Sequence, residues 1–223
     1  MNTADYTLIF TQRVADGQWG LYFGFDAEEF PGRGETWSAA PGVLTLNNLN
    51  FATTDDVALT IDRDTRIVLN GANTITSNPG GGIRPSFGLF IAGNLTFSGA
   101  GSLTAAAGHS MVSNSIGIDV QGGCLHMESG TVTAIGRTAN HDSAGIWADS
   151  FAMTGGTLYA RGNDFSMKID SGTAPPSGPI IRGCSADGTY SVKGKFTLDG
   201  KDYTITEMDK TAVINRVGIA RRA

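Results

Sequence analysis

Two sets of side chains in this chain could do chemistry. Phe90, Asp119 and Trp147 recur 29 and 28 residues apart. Aromatic rings stack against the C–H faces of sugars, and a carboxylate between them accepts hydrogen bonds from hydroxyls, so this series has the makings of a glycan platform. The second set is polar and more scattered: Arg137, His141, Asp142, Asp164, Lys168 and Asp170. Arg137, His141 and Lys168 are candidates for ligand contact. A lyase acting on an acidic glycan needs a base to take the proton beside a uronate carboxylate and a cation to neutralise that carboxylate. Lys168 or Arg137 could serve as the base, and Asp142, Asp164 and Asp170 could hold Ca²⁺ through oxygen ligands. His109 and His141 with Asp142 would make a partial zinc set that lacks a fourth fixed ligand. Ordinary solvated loop charge accounts for the same residues without any ligand. A glycoside hydrolase would need two close carboxylates, and no such pair stands out.

These residues need a scaffold that repeats. The segments Phe87-Gly88-Leu89-Phe90-Ile91, Ile116-Gly117-Ile118-Asp119-Val120, Ala144-Gly145-Ile146-Trp147-Ala148 and Ser177-Gly178-Pro179-Ile180-Ile181 return at steps of 29, 28 and 33 residues. A strand that returns at this interval with its apolar positions in phase is the signature of a solenoid, in which each coil buries its inner face on its neighbours. Side chains alternate along a strand, so Leu89, Ile118 and Ile146 are expected in one interior row. Phe90, Asp119, Trp147 and Ile180 are then expected in one outward column, with Phe90 and Trp147 about 10 Å apart across two rungs.

Each coil reads as three short strands. Ile67 to Leu69, Leu95 to Phe97, Leu125 to Met127 and Phe151 to Met153 begin the coils, with His126 facing outward. Second strands begin at Ile75, Leu103, Val132 and Leu158, after corners rich in Gly, Asn and Ser. Turns this short cannot hold a crossover helix, which points to a parallel β-helix. Asn70 and Asn73 are candidates for an internal amide ladder. The longer connections, 76–86, 107–115, 136–143 and 162–177, all fall between second and third strands and so emerge on one edge, the expected functional rim. Gly80-Gly81-Gly82 has neither a following helix nor a Gly-Lys-Ser/Thr closure, so it reads as a loop and not a phosphate cradle.

Residues 1–42 hold 8 of the 19 aromatics and read as an N-terminal cap, because open solenoid ends must be covered. Residues 43–184 form the coils, about five to six of them. Residues 185–223 close the other end with a hairpin at Asp199-Gly200 and the run from Val213 to Ile219. The chain is read as a single all-β domain.

The motifs from Val68 to Ser77, Gly88 to Ala105, Ile116 to Gly123, Gly130 to Arg137 and Met153 to Ala160 resemble the bacterial cell-surface parallel β-helix proteins known as carbohydrate-binding domain-containing, themselves similar to polysaccharide lyase β-helices. That resemblance implies a right-handed, single-stranded parallel β-helix, an extracellular or cell-surface setting, a polysaccharide partner and calcium held by loop carboxylates. It leaves three functions open: a non-catalytic binding or adhesion module, a lyase acting on acidic glycans, and a structural spacer.

Composition narrows the partners. Sixteen basic and 21 acidic residues give a net charge of -5, which argues against nucleic acid because phosphate binding requires a basic surface. No apolar run reaches the roughly 20 residues of a membrane-spanning helix. The N-terminus lacks the pattern of a signal peptide, consistent either with a cytoplasmic protein or with an export signal already removed. A monomer is expected. Cys124 and Cys184 fall two coils apart, roughly 10 Å by strand spacing, so both are expected as free, mostly buried thiols.

Overall fold

The computed structural model describes residues 6–24, 28–169, 194–198, 201–207 and 216–221. Cys184, Asp170, Ile180 and Phe25 lie outside them. Among the described residues the chain is all β, apart from one 3-10 turn at Gly80–Gly82 inside a loop. The strands are β1 Leu8–Gln12, β2 Trp19–Phe23, β3 Trp37–Ala40, β4 Val43–Asn47, β5 Asn50–Thr53, β6 Val57–Ile61, β7 Thr65–Asn70, β8 Ala72–Ser77, β9 Ser86–Ala92, β10 Leu95–Gly99, β11 Ser102–Ala106, β12 Ser115–Met127, β13 Thr131–Ile135, β14 Ser143–Met153, β15 Thr157–Arg161, β16 Phe165–Ile169, β17 Gly194–Leu198, β18 Lys201–Glu207 and β19 Arg216–Arg221.

Among the described residues they wind into a β-solenoid of about four turns, against the five to six expected, with three faces. The first face stacks β6, β9, the start of β12, the start of β14 and β16, all parallel. The second stacks β4, β7, β10 and the far ends of β12 and β14. The third stacks β5, β8, β11, β13 and β15. β12 and β14 each run through the corner from the first face to the second, and the register shifts between Val120 and Cys124. Gly122 makes that turn at φ +71°, and a Cβ on Gly123 would lie 2.2 Å from the carbonyl oxygen of Gly93 in the corner below. Side chains there are excluded by sterics alone.

The interior is a set of vertical rows. Leu59, Leu89, Ile118, Ile146 and Met167 stack in register and are fully buried, as the alternation requires. Each such aliphatic side chain taken from water is worth about 1.5–3 kcal/mol, so the row is a principal source of cohesion between coils. Two registers differ from expectation. Phe97 stacks on Ile67 and Leu95 on Thr65, and Leu103 stacks on Asn73 while Ile75 meets Ala105. In both places the first full coil starts its strand two residues earlier than its apolar residues suggest, because polar Thr65 and Asn73 occupy inward positions. Asn73 is 2% exposed and satisfied: its Oδ1 accepts from Leu49 N at 2.9 Å, and its Nδ2 donates to the carbonyls of Asn70 and Ser102. Asn70 is exposed, so the two do not form an internal ladder.

The first-face rung after β14 is β16, only 21 residues on from Ala144 to Phe165. The expected fourth glycine strand, 177–181, lies outside the described residues, and Lys168 of β16 follows Trp147 in the outward column. Cys124 is free and half-buried rather than mostly buried, because it sits at the corner and not inside a strand row.

At the N-terminal end β1 adds a parallel strand to β6 and pairs antiparallel with β2, while β3 pairs antiparallel with β4. Phe10, Tyr22, Phe23 and Trp37 are buried there, and Phe30 bridges Phe23 and Phe51 edge-on at 5.3 and 5.6 Å. β17 and β18 pair antiparallel with Leu198 opposite Lys201, the expected turn at Asp199-Gly200 lying outside the described residues, and β19 runs antiparallel to β15. Among the described residues no helix is long and apolar enough to cross a membrane.

Candidate ligand groove

The glycine strands do more than alternate. A Cβ on Gly88 would lie 2.6 Å from the oxygen of Gly117 and 2.7 Å from the nitrogen of Ala106 on the third face. One on Gly117 would lie 2.3 Å from the nitrogen of Ile135. The first and third faces approach so closely at this corner that only hydrogen fits, and the opposing third-face row is Ala105, Ala134 and Ala160. The strand bends at the glycine, so the glycine and the residue after it both turn inward. The residue before the glycine is thereby released to the outside, three positions ahead of the outward column.

Two columns thus share the outer surface. One is Val57, Phe87, Ile116 and Ala144; the other is Thr60, Phe90, Asp119, Trp147 and Lys168. The rings of Phe87 and Phe90 meet edge-on at 5.9 Å, which places residues three apart on the same side. Ile116 is 1% exposed yet stands outside the core cluster. A groove of about 330 Å³ lies between the columns, lined by Phe87, Asn114, Ile116, Asp119, Val120, Gln121, Trp147 and Asp149.

The expected column is therefore present in register, with changed roles. Asp119 lies between Phe90 and Trp147 but is only 2% exposed, and it accepts a hydrogen bond from Gln121 Nε2 at 3.1 Å. Phe90 is half-buried and not part of the groove lining; Phe87 is. Trp147 is half-buried with Lys168 Nζ over its ring, 3.5 Å from the centroid. Lys168 also donates to Asp142 Oδ2 at 2.9 Å. One face of the indole is thus covered by an ammonium.

The remaining candidates lie on or beside the rim of stacked loops. Ser110 pairs with Ala139, Met111 N donates to Gly82 O, and Asn140 N donates to Ser110 O at 3.0 Å, so successive connections are knitted together as expected of a shared edge. The last connection, 162–164, is only three residues long because β16 begins early. Arg137 and His141 are exposed on the rim. The Ser110–Ala139 pairing puts Thr138, not His141, level with His109, so the two histidines are not equivalent. Asp142 is engaged by Lys168, and Asp164 Oδ2 accepts from Ser143 N at 2.8 Å. Among the described residues no three His, Cys, Asp or Glu side chains converge as metal ligands. A second cleft, of about 360 Å³, is lined by Asp55, Asp56, Ile83 and Arg84 among others. Burial raises the Asp56 carboxyl above its usual value, Arg84 at 3.6 Å opposing it.

A row of serines holds the rim to the solenoid. Ser86, Ser115 and Ser143, the first residues of β9, β12 and β14, stack in register and are fully buried. Each Oγ accepts from the backbone two residues past a third-face strand: Gly108 N to Ser86 at 2.7 Å, Arg137 N to Ser115 at 2.8 Å and Asn163 N to Ser143 at 2.8 Å. Ser115 Oγ also donates to Gly108 O at 2.6 Å. These bonds satisfy loop amides where the chain leaves the ladder and water cannot enter.

Comparison of the chain with protein-family models, with curated proteins and with solved structures finds no match. Sequence reasoning missed Phe87, Ile116, Gln121 and Asp149 as groove residues. The available signal was the invariant placement of glycine between Phe87 and Leu89 and between Ile116 and Ile118, which a bend explains and simple alternation does not.

Proposed function

We propose that this chain is a non-catalytic polysaccharide-binding or adhesion module of a secreted or cell-surface bacterial protein. In this reading it is a monomeric, right-handed solenoid, the hand that parallel crossovers overwhelmingly take, with residues 1–42 and 185–223 covering its ends. The observation that carries the proposal is the groove on the first face. It combines indole and phenyl surface from Trp147 and Phe87 with the amides of Asn114 and Gln121 and the carboxylates of Asp119 and Asp149. Apolar walls with a few convergent polar groups are the ordinary makeup of a small-ligand site, and this set suits the alternating C–H faces and hydroxyls of a pyranose. The groove opens along a regular β surface, which suits a chain-like ligand.

Lysine-based lyase chemistry is less well supported. Lys168 would have to leave both the Trp147 ring and the Asp142 carboxylate to act as a base.

A glycan array probed with the wild-type chain, Trp147→Ala and Phe87→Ala tests the proposal. Binding to at least one polysaccharide is expected, with a loss of about tenfold or more in each variant, the scale of one lost stacking contact. Binding unaffected by both substitutions would remove the groove as the site, and silence across the array would favour a spacer.

A further inference from the structure

We propose that the loop rim docks onto lipid membranes with anionic headgroups, Ile83, Met111 and Val112 entering the interface while Arg84 and Arg137 meet the phosphates. This surface is separate from the groove, and the inference does not depend on glycan binding. Four large apolar side chains stand out as exposed among the described residues, and three of them are here: Ile83 at 68%, Met111 at 66% and Val112 at 50%. They come from two connections, β8 to β9 and β11 to β12, that adjoin through the bond from Met111 N to Gly82 O. A third connection joins them, because Ser110 N donates to Thr138 O at 3.0 Å. Arg84 follows Ile83, and Arg137 precedes Thr138. Each of the five residues is thus within two positions of a hydrogen bond that ties adjacent loops together.

Charge on this edge is opposite to that of the molecule. Arg84 has a 66% exposed side chain and reaches Asp56 only at 3.6 Å, and Arg137 is exposed. The carboxylates of the same edge are half-buried and engaged, Asp142 by Lys168 and Asp164 by the Ser143 amide. A chain of net charge -5 therefore shows exposed positive charge on the edge that also bears its exposed aliphatic side chains.

An exposed apolar cluster marks an interaction surface, and the makeup of this one narrows the partner. Aliphatic side chains offer no ring face for a sugar to stack on, unlike Trp147 and Phe87 in the groove. Ile83 and Met111 project far into solvent, so a soft apolar medium that moulds around them covers more of their surface than a flat, rigid partner does. Guanidinium groups pair with phosphate oxygens through two parallel N–H donors, and an anionic headgroup presents such oxygens beside its acyl chains. Apolar insertion and basic side chains add at a bilayer surface, here giving weak, reversible attachment.

The test is co-sedimentation of the chain with phosphatidylcholine vesicles, with and without phosphatidylglycerol, at low salt. Binding to the mixed vesicles is expected, about tenfold or more stronger than to pure phosphatidylcholine. The double variant Ile83→Ser with Met111→Ser should lose about tenfold in affinity. Arg84→Gln with Arg137→Gln should lose a similar factor, one that shrinks as salt is added. Val14→Ser removes an apolar side chain that is 101% exposed in the turn between β1 and β2, and it should change nothing. All these positions are exposed, so each variant should match wild type by circular dichroism. Wild type that stays in the supernatant with every vesicle overturns the proposal. Binding that is indifferent to the apolar pair, or equal on neutral and anionic vesicles, does so too. Retention on immobilised polygalacturonate that is lost with the two arginines, without vesicle binding, would assign the rim to acidic glycan; that outcome overturns this inference and leaves the groove to be judged by the glycan array.

Discussion

The two sides of β12 obey different rules. On the inner side, Gly117 lies where a Cβ would be 2.3 Å from Ile135 N, Ile118 is fully buried in a continuous row, and Ser115 is fully buried with its hydroxyl spent on two loop backbone groups. On the outer side the residues change from coil to coil, Phe87, Ile116 and Ala144 in one column and Phe90, Asp119 and Trp147 in the other, and of these Phe87, Ile116, Asp119 and Trp147 line the groove. The inner side repeats because every coil meets the same neighbour at the same distance. The outer side is free of that constraint, so departures from repetition there can serve a ligand. Invariance along this solenoid reports packing, and variety on the first face reports use.

Gly117→Ala puts the largest strain on this contrast. Both nearest obstacles are backbone, Ile135 N at 2.3 Å and Gly145 O at 2.7 Å, so neither can swing away. A loss of about 3 kcal/mol in unfolding free energy is expected by urea denaturation. A loss below about 1 kcal/mol would mean that the two faces can part at this corner and that the bend has another cause. Ser115→Ala comes next. It leaves Arg137 N and Gly108 O without their buried partner, at a cost of about 2 kcal/mol. Accelerated amide exchange at Arg137 should accompany it, and unchanged protection there would show that the rim does not depend on the serine row.

On the outer side the effects should be smaller. Lys168→Met removes the ammonium from Trp147 and Asp142, whose side chains are partly exposed, so about 1 kcal/mol or less is expected. Near-ultraviolet circular dichroism should register the altered surroundings of Trp147, and a stability loss as large as that of Ser115→Ala would erase the distinction between the sides. The smallest effect belongs to Arg66 and Glu128, which pair across two coils on the second face. Hydrogen bonding to Arg66 holds the Glu128 carboxyl below its ordinary value of 4.5, with burial opposing it. A carboxyl lowered in the folded state contributes stability that is complete above its unfolded value and fades as pH falls through the folded one. Glu128→Gln should therefore flatten the stability profile slightly below pH 4.5 and leave it unchanged in shape above. An unaltered acid limb would show that the pair contributes nothing.

Much of this was legible beforehand, and the misses have identifiable causes. The interior row of Leu89, Ile118 and Ile146 follows from a repeat of 28 and 29 residues, because coils of equal length place equivalent residues in register. The outward placement of Phe90, Asp119 and Trp147 follows from alternation within that row. Phe87 and Ile116 escaped because alternation assigns them inward, and only the bend forced at Gly88 and Gly117 reverses them. Asn73 escaped because a polar residue in the core is admissible only when its partners, here Leu49, Asn70 and Ser102, converge from three separate segments. Lys168 was assigned to a loop because the segment from Ser177 to Ile181 mimics the glycine strand more closely than Phe165–Ile169 does, yet β16 is the strand that pairs with β14.

By itself, then, the order of residues determined a winding of nearly constant period and the inward rows that hold it together, since both depend on contacts between equivalent positions of adjacent coils. Only the tertiary structure decided the shape and charge of the groove. It brings Asn114, Asp119 and Asp149 together across two coils, and the burial of Asp119 is not encoded in any local pattern.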